Sequence, residues 1–104
     1  MGTYIMFLKW TERGAANISE AKHGREAGKK AAAAVGVTWK RSYLVMGEYD
    51  VIVVVEAPDD ATMAKFILLG EMSGAVDIKT VRAFTEAEAD ELVDSLGELA
   101  QLVA

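Results

Sequence analysis

The feature that most constrains this chain is a pair of strand-like runs separated by a glycine-led dipeptide. Residues 37–46 alternate, with Val37, Trp39, Arg41, Tyr43 and Val45 on one face and Thr38, Lys40, Ser42, Leu44 and Met46 on the other. Period two over ten residues is the pattern of a strand. Residues 49–56 read YDVIVVVE, a β-branched run that also favours a strand. Between them stands Gly47-Glu48. A two-residue connection opening on glycine predicts a hairpin with a type II′ turn, because glycine supplies the positive φ of its first position.

The flanks of this hairpin fix the rest of the order. Residues 3–10 (TYIMFLKW) are short and rich in aromatic and branched side chains. Both faces are apolar until Lys9, the pattern of a central strand buried on both sides. Residues 11–14 turn the chain. Asn17-Ile18-Ser19-Glu20 then offers a capping box, with a polar cap residue and a glutamate three positions on. The following helix places Ala27, Ala31, Ala34 and Val35 on one stripe and Lys22, Arg25, Glu26, Lys29 and Lys30 on the wet side. Gly36 ends it at the usual place for a left-handed residue.

After the hairpin, Pro58 has no amide to donate and stops the strand. Asp59 or Asp60 caps a second helix that runs to about Met72. Met63, Ala64, Phe66, Ile67, Leu68 and Leu69 cover more than one stripe of it, so burial on more than one side is expected. Ser73-Gly74 end the helix, and residues 76–84 (VDIKTVRAF) form a fourth strand. Thr85-Glu86-Ala87-Glu88 is a second capping box. It opens a C-terminal helix over 85–104 whose apolar stripe includes Ala89, Leu92, Val93, Leu96 and Leu99.

Strand, helix, strand, strand, helix, strand defines a split βαβ unit. The expected fold is α+β: a ferredoxin-like βαββαβ antiparallel sheet of order 4-1-3-2, both helices on one face, plus a C-terminal helix. Right-handed crossovers place strands one and three side by side in the middle, here expected to be parallel. All 104 residues are expected to form one domain. The sheet face away from the helices is then apolar and uncovered, which predicts face-to-face packing as a homodimer or higher homo-oligomer. The hydrophobic share of 52 % points the same way, because a domain this small buries only part of it.

Charge and composition narrow the function classes. The net charge is −5, which gives no general attraction to phosphate backbones or anionic lipid, so no nucleic acid and no membrane are expected as partners. There is no cysteine, hence no disulfide, thiolate metal site or thiol nucleophile. No apolar run approaches the roughly 20 residues of a membrane span. The N-terminus does not read as a leader. A cytoplasmic location, no metal and no cofactor are the expectations.

Several residues can carry a site. Tyr49 and Asp50, at a strand end beside Gly47-Glu48, offer a donor and a charged acceptor. The simpler reading is packing for Tyr49 and a hold on loop amides for Asp50. Trp39, Arg41 and Tyr43 are expected on one strand face, where an arginine between aromatics suits a carboxylate or a planar ligand. They suit an inter-subunit pairing equally well. Tyr4 and Trp10 are candidates to line the same cavity. His23, the only histidine, sits among Lys22, Gly24 and Arg25 and reads as a surface group rather than a base or haem ligand. The basic set Lys22, Arg25, Lys29 and Lys30 reads as a solvated helix face.

The run Gly47-Glu48-Tyr49-Asp50, preceded by Tyr43-Leu44-Val45-Met46 and followed by residues 51–60 (VIVVVEAPDD), resembles the GYD-domain family. So do the opening residues 4–12 (YIMFLKWTE) and Val81-Arg82-Ala83-Phe84. The resemblance covers nearly all the chain except the final helix. It implies a ferredoxin-like subunit of the dimeric α/β-barrel superfamily and no particular reaction. Relatives in that superfamily include cofactor-free monooxygenases, haem-handling enzymes, lactone isomerases and ligand-sensing domains, so the fold does not choose among them. Three functions therefore compete. In order, they are a module that binds a small apolar or planar ligand, a cofactor-independent oxygenase or isomerase using Tyr49, Asp50 or Arg41, and a purely structural assembly subunit.

Overall fold

The computed structural model describes all 104 residues. Four strands, β1 (Gly2–Trp10), β2 (Thr38–Leu44), β3 (Val51–Ala57) and β4 (Val76–Ala83), form one sheet of order β2-β3-β1-β4. This is the expected 4-1-3-2 order. A five-residue helix α1 (Glu12–Ala16) follows β1, α2 (Ala21–Val35) connects onward to β2, and α3 (Asp60–Met72) connects β3 to β4. α4 (Glu86–Leu96) and a 3₁₀ segment, Gly97–Val103, end the chain, so the α-helix expected over 85–104 stops at Leu96, where Gly97 turns the backbone to φ 44°.

The central pair β1 and β3 runs antiparallel, with Tyr4 opposite Val55 and Met6 opposite Val53. The expectation of a parallel pair is corrected here. Each right-handed crossover makes its own two strands parallel, β1 with β2 and β3 with β4, and each such pair is split by a strand of the other unit. Every hydrogen-bonded neighbour is therefore antiparallel.

One face of the sheet makes the core. Tyr4 and Met6 of β1 and Val53, Val55 and Ala57 of β3 are buried against Ala32 of α2 and Met63 and Phe66 of α3. Full burial of a side chain such as Val55 or Met63 contributes roughly 1.5–3 kcal/mol. α2 lies close because its inward stripe is small. Gly28 is part of that stripe, and a Cβ there would stand 3.2 Å from the Trp39 indole. Gly36 ends α2 at φ 91°, as the sequence predicts. Asp59 caps α3 by accepting from the Thr62 amide at 2.8 Å. That hydrogen bond holds the Asp59 carboxyl below its ordinary value of 3.8.

Four local expectations fail. The capping box at residues 17–20 does not form. Asn17 instead donates its side-chain amide to the Arg13 carbonyl, and a 3₁₀ turn, Ile18–Glu20, leads into α2. The supposed turn at 11–14 is the start of α1, capped by the Thr11 hydroxyl. The hairpin is not a two-residue turn. The Val45 amide donates to the Asp50 carbonyl at 2.9 Å, enclosing residues 46–49, with Gly47 at φ 126°. Asp50 causes this, because its amide donates to the Leu8 carbonyl and draws the loop end onto β1.

The fourth is a bulge. Trp39 pairs with Val55 and Arg41 with Val54, leaving Lys40 as an extra residue. One inserted residue reverses the side-chain alternation beyond it. Trp39 therefore stays on the helix side, while Arg41 and Tyr43 turn to the open side. They do not share a face as expected.

The second apolar side of α3 is not buried within the subunit. Leu68 is 64 % exposed and Met72 81 %. The open sheet face carries Ile5, Phe7, Ile52, Val54 and Val81, and no helix lies over it.

Candidate functional site

A cleft of about 220 Å³ opens between α3 and the edge of the sheet. Met63, Ala64 and Ile67 of α3 form its apolar wall. Tyr4, Thr80, Arg82 and Asp60 supply its polar groups. The register explains the convergence. Tyr4 stands opposite Arg82, and Met6 opposite Thr80, all on the helix side of the sheet. Asp60 arrives from the first turn of α3, where Asp59 already serves as the cap.

The polar groups are connected. The Tyr4 hydroxyl donates to the Asp60 carboxylate. This bond, with burial added, raises the Tyr4 phenol above its ordinary value of 10.0, so the phenol stays protonated. The Arg82 guanidinium lies 5.5 Å from the Tyr4 ring centre and 4.6 Å from that of Phe84. It donates to the carbonyls of Thr3 and Ala83. Thr80 Oγ1 is buried and has no hydrogen-bond partner. A buried hydroxyl left unpaired costs about 1–3 kcal/mol. The cleft thus combines an apolar wall, the Arg82 cation, the Asp60 carboxylate held by Tyr4, and a buried hydroxyl without a partner.

A second depression, about 540 Å³, lies at the opposite edge between α2 and β2. Arg25, Lys29, Lys40 and Arg41 surround Trp39 and Ser42 there. Lys40 pairs with Glu56 at 3.0 Å, and Lys29 and Arg25 approach Glu26 at 3.8 and 4.0 Å. Arg41 makes no ion pair. This groove is broad and polar, and the bulge at Lys40 shapes its rim.

The residues singled out from the sequence fall in four places. Tyr4 lines the cleft. Tyr43 and Tyr49 lie on the open sheet face, where the Tyr49 ring is 5.0 Å from that of Phe7, and Arg41, on that side of the edge strand β2, also lines the basic groove at the sheet's edge. Trp10 and Asp50 meet at the end of β1, where the Trp10 amide donates to Asp50 Oδ2 at 2.9 Å. Trp39 packs on Gly28 at the rim of the basic groove. Tyr49 and Asp50 face different surroundings and form no common donor–acceptor set. His23 is exposed beside Glu20, 3.3 Å away. No three His, Cys, Asp or Glu side chains gather as a metal-binding group.

Asp60, Thr80 and Arg82 escaped the sequence reading. Their signal was present in β4, where Val76, Ile78, Thr80 and Arg82 alternate onto the core side and the last two are polar. Asp59-Asp60 also supplies one acid more than a helix cap requires.

Sheet order and crossovers define a small α+β protein of the ferredoxin-like class. The chain belongs to the GYD-domain family, whose model matches residues 4–93. Among solved structures, it is similar to FFRP-DM1 at 27 % identity and a TM-score of 0.54, over 81 % of this chain and 100 % of that one. It is also similar to the hypothetical protein PHS023 from Pyrococcus horikoshii, at 28 % identity and 0.52, over 83 % of this chain and 93 % of that one. TTHA0845 from Thermus thermophilus, at 21 % identity and 0.53 over 82 % of this chain and 95 % of that one, shares the fold. No curated protein matches the chain. No helix is long and apolar enough to cross a membrane.

Proposed function

We propose that this chain is one subunit of a homo-oligomer and binds a small amphipathic molecule in the cleft between α3 and β4. The observation that carries the binding reading is the unpaired, buried Thr80 hydroxyl beside Arg82. An acceptor such as a carboxylate or carbonyl oxygen that enters the cleft faces the guanidinium and reaches the hydroxyl once the side chains over it shift. A short hydrocarbon or a single ring then lies along Met63, Ala64 and Ile67. Clefts for drug-sized ligands span roughly 300–1,000 Å³, so this smaller one suits a small metabolite. The oligomeric reading rests on the open sheet face, whose contiguous Ile5, Phe7, Ile52 and Val54 lose water when a second sheet covers them.

Benzoate and hexanoate are suitable probes, each with an apolar body and one carboxylate. A ligand at 100 times its Kd stabilises the folded state by about 2.7 kcal/mol, a readable thermal shift. Thr80→Val removes the hydroxyl at nearly constant shape. It is expected to leave the unliganded protein at least as stable and to abolish most of the probe-induced shift. An undiminished shift in Thr80→Val refutes the cleft reading. Sedimentation velocity at micromolar concentration tests the oligomer, and a stable monomer refutes it.

A further inference from the structure

The C-terminal arm has no partner within its own subunit. None of its residues from Glu86 to Val103 is buried, and α4 makes only marginal contact with the strands and helices of the body. The molecule is correspondingly long, 54 Å by 31 Å by 19 Å. Yet the arm is built as a helix. Thr85 and Glu88 form a complete capping box, and the Arg82–Phe84 stack pins its exit from β4. Accepting from the Thr85 amide also holds the Glu88 carboxyl below its ordinary value. Leu92, Val93 and Leu96 line one stripe, each at least half exposed. A helix of three turns is marginal alone in water, so this stripe needs an apolar surface to lie on.

Charge says which surface. Residues 85–104 hold six acids and no lysine or arginine, so the arm carries −6 while the rest of the chain carries +1. Two arms side by side would set acid against acid. The groove between α2 and β2 has the opposite sign, with Arg25, Lys29, Lys40 and Arg41 around the Trp39 indole outnumbering the Glu26 and Glu56 carboxylates that approach the first three. Trp39 is the one apolar residue of its lining, and the stems of the arginines and lysines around it are the other hydrocarbon it offers. Glu86 and Asp90, one turn apart, flank the apolar stripe and meet the cationic rim when the stripe faces down.

We propose that the α4 arm of one copy of this chain seats in the α2–β2 groove of a second copy. The inference rests on the oligomeric reading above and names a contact that reading does not require. Opposite charge steers the arm to the groove, and the Leu92–Leu96 stripe against Trp39 holds it there.

The chain has no cysteine, which allows a direct test on the full-length protein. One preparation carries Asp90→Cys and a second carries Lys29→Cys. After mixing, a short bismaleimide is added, so any mixed cross-link joins two copies. The expected result is an efficient mixed cross-link at micromolar protein. Most of it is lost in high salt or when Arg25→Glu and Arg41→Glu are added to the Lys29→Cys chain. Asp77→Cys, on the open side of β4, replaces Lys29→Cys as the control and is expected to give little product. Self-cross-linking of Asp90→Cys in preference to the mixed product overturns the inference. So does the absence of a mixed product while sedimentation still shows an oligomer, which leaves the oligomeric reading standing. A monomer in sedimentation, with no cross-link, removes both.

Discussion

Asp50 sits in the run that most resembles the family pattern, and its geometry assigns it a structural task. Its carboxylate accepts from the Trp10 amide at 2.9 Å, and its own amide donates to the Leu8 carbonyl. The side chain so stands in for a backbone carbonyl at the end of β1. Asp50→Ala removes the acceptor and leaves a partly buried amide unpaired. A hydrogen bond to a charged partner contributes about 1.5–3 kcal/mol. At about 2 kcal/mol, the melting temperature falls by roughly 8–16 °C for a domain near 100 residues. Asp50→Asn keeps an oxygen acceptor without the charge, and about half that loss is expected. Urea unfolding with an unchanged slope gives the energy directly. The cleft begins at Tyr4, six residues back along β1 and so ~20 Å away. The thermal shift induced by benzoate is therefore expected to survive in both variants. A change in stability under about 0.5 kcal/mol refutes the structural role. A folded Asp50→Asn protein that has lost the benzoate response would instead make the motif part of the site.

Two further predictions concern packing and titration. At Gly14 a Cβ would stand 2.0 Å from the Ala75 carbonyl oxygen, which already accepts from the Thr11 amide. Gly14→Ala is therefore expected to cost about 2–3 kcal/mol, whereas Gly24→Ala, with nothing within 4 Å, gains up to ~1 kcal/mol from helix propensity. Urea midpoints moving in the same direction would contradict this. For Tyr4 the folded phenol is raised above 10.0, so its contribution to stability is complete below pH 10 and is lost as pH rises through the higher folded value. Ultraviolet titration is expected to find one of the three tyrosines ionising late, a component that Tyr4→Phe removes and whose absence in the parent refutes the Asp60 bond.

The order of elements was legible because each carries its own local signal. The alternation of residues 37–46, the β-branched run after it and the Asp59 and Thr85 caps need no distant partner. What failed depended on partners far along the chain. Gly47 tolerates positive φ in several loop types, and the choice among them lay with Asp50 reaching Leu8, more than forty residues back. The bulge at Lys40 is invisible to a strict period-two reading, and one extra residue was enough to separate Trp39 from Arg41. Tyr4 was recognisable as a conspicuous aromatic. Asp60, Thr80 and Arg82 join it only because the register sets Met6 against Thr80 and Tyr4 against Arg82, and α3 crosses above them. Polar residues at the inward positions of β4 were the one local clue.

The apolar surplus supports the proposed assembly. Only 11 of 104 residues are buried, too few to hold the hydrophobic half of the sequence away from water. Much of the remainder falls on three surfaces, the open sheet face, the outer side of α3 at Leu68 and Met72, and the α4 stripe, while Ile18, Leu44 and Met46 are exposed elsewhere. A monomer gains nothing from an amphipathic arm with a firm cap and no surface beneath it. The arrangement makes energetic sense once copies meet, since each surface then contributes burial at roughly 25 cal/mol per Å². Folding and assembly are linked in that case, and stability depends on protein concentration. The cleft lies on the helix side of the sheet, away from the open face, so assembly through that face leaves it accessible to a small ligand.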